Sequence, residues 1–532
     1  MTEVEATLWN ILFPGIRGAI APRNPLGILD RMKLGQILEG LTHFDLQGDP
    51  ALEITGLAYD SRKVKPGDLF VAIRGHHLDG HGFIEKAIQN GAVAVAAEVL
   101  AGCEAKVATV LVPDSREALS KLALAFYGDP FKNITLIGIT GTNGKTTTTY
   151  LLESIVKSAG GNPGVLGTVN YRYSDKKIPA PVTTPESLDL IRLSREMVNH
   201  GVSHIVMEVS SHALDQGRTQ DCPFNVAVFT NLTRDHLDYH KTMDEYFIAK
   251  SRLFRGLQAD PSAEARSAVI NLDDPRGKDL LNMTRCKVFT YGLGTGTQVS
   301  ADAIEMDSTG LKFRLRTPAG EAVIRSCLIG DFNVYNILAA AGAGLALDFP
   351  FRAVVRGIEA LKSVPGRLER VENGKGLTLV VDYSHTPDAL LKAMRSLKPY
   401  VKGRLITVFG CGGDRDRGKR YEMGRLAGEH SDVAFITSDN PRTEDPVSIV
   451  EEIEKGMLDS GMEKWGANAH PGKGYFLEVD RRKAIRKAVA MAEERDVVLI
   501  AGKGHEDYQV IGRERRPFRD QEEAALAALE GV

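Results

Sequence analysis

Short runs of consecutive apolar residues recur along the chain, and most stop at polar or turn-forming residues. Unbroken runs of this kind fit strands covered on both faces, the habit of parallel sheets flanked by helices. Asp68–Ile73 and Gly91–Ala97 are two such strands, and Phe83–Asn90 between them has helical texture. Gly128-Asp129-Pro130 is turn-type punctuation and marks a linker. From Ile134 the alternation becomes regular. Ile134–Thr140 runs into a glycine-rich turn, and the pattern then predicts a helix over Thr146–Ala159. His204–Val209 and Val226–Asn231 are further buried strands that end in polar residues. Ligands bind at the carboxyl ends of strands in open parallel sheets, so chemistry is expected there. After Pro365-Gly366 come Leu377–Asp382, Leu405–Gly410, Val433–Thr437 and Val497–Ala501, separated by helical stretches.

The fold class expected is therefore α/β in three domains. A small α/β domain covers residues 33–132, a central domain with a mostly parallel sheet covers 133–364, and a C-terminal α/β domain covers 365–532. Residues 1–32 form an extension containing Pro14, Pro22 and Pro25. The chain shows no internal repeat.

Composition narrows the classes. At 532 residues the chain is too long for one ordinary domain, since about 150 residues each gives three or four. Its 66 basic and 69 acidic residues nearly balance. Overall charge thus draws it neither to nucleic acid nor to an anionic membrane, and an anionic ligand needs a local site. Cys103, Cys222, Cys286, Cys327 and Cys411 form no C-x-x-C pair. That argues against a disulfide framework or a structural zinc site and for a reducing cytoplasm. No apolar run approaches the roughly 18 residues of a membrane span. Met1–Glu5 is acidic where a secretory signal is basic.

Thr140, Gly141, Thr142, Asn143, Gly144, Lys145, Thr146 and Thr147 follow a strand and open a helix, the context of a phosphate-binding loop. Glycines let backbone amides point at phosphate oxygens, and the helix N-terminus adds positive potential. Lys145 would reach the outer phosphates and the Thr146 hydroxyl a Mg²⁺ ion. Position 139, where the standard spacing places the first glycine, is Ile; the glycines stand at 138 and 141. By itself the loop suits a kinase, a GTPase, a motor or a ligase. Glu208 at a strand end and His236 after the next strand also suit Mg²⁺, which prefers oxygen ligands and tolerates one imidazole among them. Lys250, on a helical stretch, reads as a solvated lysine.

Further stretches follow the loop in order: Glu208-Val209-Ser210-Ser211-His212, Asn231–Asp238, Asn271-Leu272-Asp273-Asp274, Asn333-Val334-Tyr335-Asn336, Pro365-Gly366-Arg367 and Asp382–Pro387. With the loop, they resemble the Mur ligase superfamily over roughly residues 33–525. The resemblance implies a uridine-nucleotide domain, a central ATPase domain and a Rossmann-like C-terminal domain. It makes Lys145, Glu208, His236 and Lys250 catalytic, with Lys250 carbamylated. Thr146, Glu208, His236 and that carbamate become Mg²⁺ ligands. Asn271, Asp274 and Asn336 resemble the adenosine contacts of ATP, and Arg367 and Asp382 the groups that reach ATP phosphate and its metal from the third domain.

The resemblance also addresses the substrates. Asp439-Asn440-Pro441-Arg442 resembles the tetrad of relatives that add meso-diaminopimelate. Arg415 and Arg442 can grip its distal carboxylate through paired donors, and Glu506 and the Gly502 carbonyl can accept from its distal ammonium. Lysine lacks that carboxylate and would leave buried arginine unpaired. Tyr59, Ser61, His76, His77 and Leu78 resemble the uridine-nucleotide site. Thr183, Thr184, Ser210, Gln216 and Arg218 resemble the contacts to the sugar-peptide, with Val182 where tripeptide-forming relatives often carry Asn. The implied substrates are ATP, UDP-N-acetylmuramoyl-L-alanyl-D-glutamate and meso-diaminopimelate, for a cytoplasmic monomer that neither binds nucleic acid nor inserts in a membrane. Lysine as the amine keeps the same chemistry. A folylpolyglutamate synthetase should lack the N-terminal uridine domain and the tetrad. A P-loop switch would need a guanine motif such as N-K-x-D, and the chain has none.

Overall fold

The computed structural model describes residues 31–75, 78–100, 106–257, 266–307, 309–466 and 472–530. Residues 1–30, which make up nearly all of the expected extension, His76, His77 and Cys103 lie outside them. The chain gathers into two compact units. One is built from the described residues up to Asn133 together with Pro185–Gly201 and Gly217–Asp221. The other comprises Ile134–Thr184, Val202–Gln216 and the chain from Cys222 onward.

The first unit holds a five-stranded sheet in the order Asp45–Gln47, Ala108–Leu111, Ala94–Ala97, Asp68–Val71, Gly56–Ala58. Only the Asp45–Gln47 edge is antiparallel. Asp68–Val71 and Ala94–Ala97 are buried along their whole length, as their apolar runs require. The expected helix between them is found at Ile84–Gln89. The helix Ser187–Asn199 also belongs to this unit, although its sequence position falls within the expected central segment. Polar contacts hold it there: Arg116 donates to Glu186 at 2.9 Å, and the Tyr59 hydroxyl donates to Asp189 at 2.6 Å. Such long-range contacts leave no periodicity to read.

Two larger sheets form the second unit. The first runs in the order Lys176–Pro179, Asn170–Tyr173, Pro163–Leu166, His204–Glu208, Thr135–Thr140, Val226–Phe229, Ser267–Asn271, Lys287–Tyr291. All but the two edge strands at 170–179 are parallel. Its core packs Val206, Val228, Leu151 and Ile155 against Ile337 and Leu338 of the helix Phe332–Ala346. The second sheet runs Glu369–Arg370, Thr378–Asp382, Val497–Ala501, Leu405–Phe409, Val433–Ile436, Gly474–Leu477, Glu463–Lys464, and only the first strand is antiparallel. Val497–Ala501 has the expected bounds, and the other expected strands are shorter by a residue or a few at their ends.

A three-stranded antiparallel sheet, Ser300–Asp307, Gly310–Thr317 and Gly320–Ser326, was not expected. Its middle strand buries Leu311, Phe313 and Leu315 and exposes Lys312, Arg314 and Arg316. This is the period-two alternation of a one-sided sheet, present in the sequence inside a segment otherwise read as α/β. The helices Gly418–His430 and Pro446–Asp459 pack backbone to backbone. A Cβ on Gly424 would stand 2.0 Å from the Ile453 carbonyl oxygen, and one on Gly456 1.9 Å from that of Tyr421. Buried Arg420 bridges them, donating to Glu444 at 2.9 Å and to Glu452 at 2.8 Å. This pair pins the loops 412–417 and 439–445 at the strand ends.

Candidate active site

The strand Thr135–Thr140 delivers the chain into the turn. Ile139 is a fully buried strand residue, so glycine is not needed there. The turn is made by Gly141 and Gly144, at φ of 144° and 86°. Space enforces both: a Cβ on Gly141 would meet Thr230 Oγ1 at 1.9 Å, and one on Gly144 would meet Asn336 Oδ1 at 2.2 Å. The helix Lys145–Ser158 then begins. Thr142–Thr147 line a cavity of about 590 Å³, while Thr140 is buried behind it. Lys145 Nζ donates to the carbonyls of Gly141 at 2.9 Å and Thr142 at 2.8 Å, and burial lowers its pKa. The next strand's end braces the loop: Thr230 Oγ1 donates to the Asn143 carbonyl at 2.7 Å, and the Asn143 amide donates to Asn231 Oδ1 at 3.0 Å.

Glu208 ends its strand 1 % exposed. Its Oε2 accepts from Thr146 Oγ1 at 3.1 Å and Thr168 Oγ1 at 3.0 Å, and its Oε1 from the Thr168 amide at 2.9 Å. A Cβ on Gly167 would fall 2.5 Å from Oε1, so the carboxylate occupies the room that glycine leaves. Thr168 was missed at the sequence level; the polar residue just past the strand Pro163–Leu166 was the available signal.

Lys250 is not the solvated lysine its helix suggests: it is 1 % exposed. Its Nζ donates to the Gly141 carbonyl at 2.8 Å and lies 4.5 Å from the centre of the Tyr246 ring. Burial, then the charge of Lys145, holds its pKa well below the usual lysine range. His236 takes a left-handed backbone with φ of 53°, and its ring centre lies 4.9 Å from that of His212. Burial lowers its pKa as well.

Thr146, Glu208, His236 and Lys250 all line the one cavity. Among the described residues no three His, Cys, Asp or Glu side chains are grouped to hold a metal ion. The Thr146–Glu208 pair nevertheless fits a hard cation, being a buried carboxylate offered only hydroxyl and amide donors beside a phosphate loop. His236 and Lys250 are not in hydrogen-bond contact with that pair, and a protonated amine cannot ligate a metal.

Asn271, Asp274 and Asn336 also line the cavity, with their polar atoms largely engaged. Asn271 donates to the Thr230 carbonyl at 2.8 Å and accepts from the Asp273 amide at 3.0 Å. Asp274 accepts from the amides of Leu232 at 2.7 Å and Arg276 at 2.9 Å. Asn336 donates to Asn333 Oδ1 at 2.8 Å. Arg367 reaches the loop, donating through Nη2 to Thr146 Oγ1 at 3.2 Å, while its Nε is buried with no hydrogen-bond partner among the described residues. An unpartnered guanidinium donor at a phosphate loop suits an anion. Asp382 accepts from the Leu368 amide at 2.7 Å and from Ser384 Oγ.

A second cluster stands at the ends of Val433–Ile436 and Val497–Ala501. Asn440 Nδ2 donates to Glu506 Oε2 at 2.9 Å, and the Gln509 side-chain amide donates to the Asp439 carbonyl at 2.7 Å. Arg442, with φ of 52°, follows buried Pro441 and donates to the Gly413 carbonyl at 2.7 Å. A Cβ on Gly412 would lie 2.8 Å from Arg442 Nη1 and 3.8 Å from Arg415 Cγ, so the two arginines flank that glycine. One on Gly502 would lie 3.0 Å from Asp439 Oδ2. Lys503, inside the stretch that contains Glu506, is fully buried in this cluster. Sequence reasoning assigned it no role: Glu506 is only three residues on, but Asn440, the partner that ties Lys503 to the tetrad, lies 63 residues away.

The expected substrate residues divide between the units. In the first, Tyr59 is bonded to Asp189, Ser61 is buried, Leu78 is 69 % exposed, and Arg218 pairs with Glu186 at 3.5 Å. In the second, Thr183 Oγ1 lies 3.1 Å from Thr168 Oγ1, and Thr184 Oγ1 donates to the Glu208 carbonyl at 2.9 Å. Ser210 Oγ accepts from the Ala213 amide at 3.2 Å, and Gln216 donates to the Tyr239 hydroxyl at 3.4 Å.

Three family models match in chain order: the Mur ligase family, catalytic domain over residues 53–127, the Mur ligase middle domain over 139–344, and the Mur ligase, glutamate ligase domain over 366–504. Relatives from Geobacter metallireducens and Geobacter sulfurreducens, both named UDP-N-acetylmuramoyl-L-alanyl-D-glutamate--2,6-diaminopimelate ligase, are 49% and 47% identical. The matches span 94% and 93% of this chain and 99% and 98% of those proteins. A solved structure of a UDP-N-acetylmuramoyl-L-alanyl-D-glutamate--2,6-diaminopimelate ligase is 33% identical, with a TM-score of 0.67 over 94% of this chain and 99% of that one.

Proposed function

The chain belongs to the Mur ligase family, and on that premise we propose that it joins meso-diaminopimelate to the D-Glu γ-carboxylate of UDP-N-acetylmuramoyl-L-Ala-D-Glu. ATP is cleaved to ADP and phosphate, and the product is a peptidoglycan precursor. The supporting observation is the convergence of the loop Thr142–Thr147, Glu208 and Arg367 on one cavity, in a chain similar over nearly its whole length to ligases bearing that name.

The γ-carboxylate attacks the γ-phosphorus of ATP, forming an acyl phosphate and releasing ADP. The loop amides, Lys145 and the free Nε of Arg367 stabilise the charge on the transferring phosphoryl group. Asn271, Asp274 and Asn336 shape the adenosine end. Thr146 and Glu208 would hold Mg²⁺, whose charge neutralises the phosphates. Uncharged, the Lys250 amine could take up CO₂ with loss of a proton, and the resulting carbamate with His236 would support a second ion. The neutral amine of meso-diaminopimelate then attacks the acyl carbonyl, and phosphate leaves together with the amine's proton. Arg415 and Arg442 would grip the distal carboxylate, with Asp439, Glu506 and the Gly502 carbonyl facing the distal ammonium. Tyr59, Ser61, His76, His77, Leu78, Thr183, Thr184, Ser210, Gln216 and Arg218 would hold the UDP-dipeptide.

Among the described residues no helix is long and apolar enough to cross a membrane. A cytoplasmic monomer is the form we propose. Phosphate release is the test: it should require ATP, Mg²⁺, the UDP-dipeptide and meso-diaminopimelate together. Equal release without the UDP-dipeptide would overturn the reading.

A further inference from the structure

A buried, fully solvent-excluded lysine is costly unless its charge is matched. Lys503 is 0% exposed, and its Nζ contacts three side chains of the tetrad cluster. It donates to Glu506 Oε2 at 2.9 Å and to Asn440 Oδ1 at 3.1 Å, and lies 3.6 Å from Asp439 Oδ1. The last contact is too long for a hydrogen bond, and Asp439 Oδ1 has no other partner among the described residues, so that interaction is Coulombic.

An ammonium can only donate. Lys503 therefore dictates which end of the Asn440 amide faces it, and the Val510 amide, donating to the same Oδ1 at 2.9 Å, repeats the instruction. Asn440 Nδ2 is thereby turned to Glu506 Oε2, at 2.9 Å. Both donors to the Glu506 carboxylate thus arrive at Oε2. Among the described residues Oε1 receives none. The carboxylate is locked by one oxygen and presents the other. Two carboxylates against one ammonium also leave the cluster one negative charge in excess, beside the arginines that flank Gly412.

We propose that Lys503 is a positioning residue for amine-substrate specificity: through Asn440 and Glu506 Oε2 it holds Glu506 Oε1 ready for the distal ammonium of the amino acid. This rests on the diaminopimelate reading above. Lys503 touches no substrate itself. It makes recognition of the ammonium rigid, and it limits the local negative charge so that one ammonium neutralises the cluster.

The test compares meso-diaminopimelate with 2-aminopimelate, which keeps the distal carboxylate and lacks the distal amine. The wild-type enzyme should prefer meso-diaminopimelate by KM. A charge-assisted hydrogen bond is worth about 10-fold or more in affinity. Lys503→Met should raise the KM for meso-diaminopimelate by about that factor and leave the KM for 2-aminopimelate and for ATP within about twofold. A parallel rise for both amino acids would overturn the proposal, because a general loosening of the site ignores the distal amine. If Lys503→Met yields no folded protein, the variant combining Lys503→Met with Glu506→Gln, which removes both partners of the pair, carries the comparison. It should match Glu506→Gln alone in its lost preference. A further loss of preference, or failure of this variant also to fold, would overturn the proposal. A wild-type enzyme that ignores meso-diaminopimelate altogether would instead refute the substrate reading.

Discussion

Lys250 shows how far one residue's environment departs from its sequence context. It sits on the amphipathic helix Met243–Gly256, and nothing local marks it as buried. Its Nζ faces a carbonyl and an aromatic ring with no carboxylate in ion-pair reach among the described residues. Lys250→Ala should lower turnover by about 100-fold, the scale of losing a metal-supporting group, with partial rescue by short carboxylic acids. Full activity without rescue would exclude a carbamate. Lys145→Ala should lose about 1,000-fold or more in kcat, since it removes a cation from the transferring phosphoryl group. His505 offers a stability test. Burial, then the charge of Arg367, pushes its pKa down to about 4 from 6.5. Below pH 6.5 the unfolded chain takes up a proton that the folded one refuses until about pH 4. Stability therefore falls as pH drops through that window and is flat above it. Denaturant unfolding should show a loss of about 2 kcal/mol from this group between roughly pH 7.5 and pH 5, and His505→Phe should remove it.

At the scale of elements, the strands and their polar ends were the legible part. Thr135–Thr140, His204–Glu208 and Val226–Phe229 declared themselves as unbroken apolar runs, and their ends carry the loop, Glu208 and the residues that brace the loop. Thr168 was not legible because its partner Glu208 lies 40 residues away, and Lys503 because the partner that links it to the tetrad, Asn440, lies 63 away, although Glu506 is near in sequence. The packing of Gly424 against Ile453 was hidden for the same reason: a glycine in a helical stretch reads only as a weak helix former. Gly424→Ala should lower stability by about 1–3 kcal/mol through overpacking, visible as a lower thermal midpoint. Gly167→Ala should act on chemistry instead. A Cβ there would stand 2.5 Å from Glu208 Oε1, so the carboxylate must give way by roughly 1 Å, a misplacement that should cost about 100-fold in kcat with little change in unfolding.

For the whole molecule, chain order and spatial grouping differ. Segments Pro185–Gly201 and Gly217–Asp221 leave the middle of the chain to join the unit of the five-stranded sheet. Arg218 is accordingly carried by the unit that also holds Tyr59, and Thr183, Thr184, Ser210 and Gln216 by the other. The phosphate-loop cavity and the tetrad cluster both belong to the other unit, so on the proposed reading one body serves both the phosphoryl donor and the amine. On the proposed reading the two arginines that flank Gly412 carry part of the discrimination, by gripping the distal carboxylate that lysine lacks. Arg415 is exposed and Arg442 half-buried, so the buried, unpaired arginine expected from sequence is not what the structure shows. Turnover with a panel of amino acids, using purified enzyme, ATP, Mg²⁺ and the UDP-dipeptide, tests this most directly. The expected result is efficient turnover with meso-diaminopimelate and kcat/KM for L-lysine lower by about 10- to 100-fold, the scale of losing charge-assisted hydrogen bonds. Equal kcat/KM for the two would contradict it.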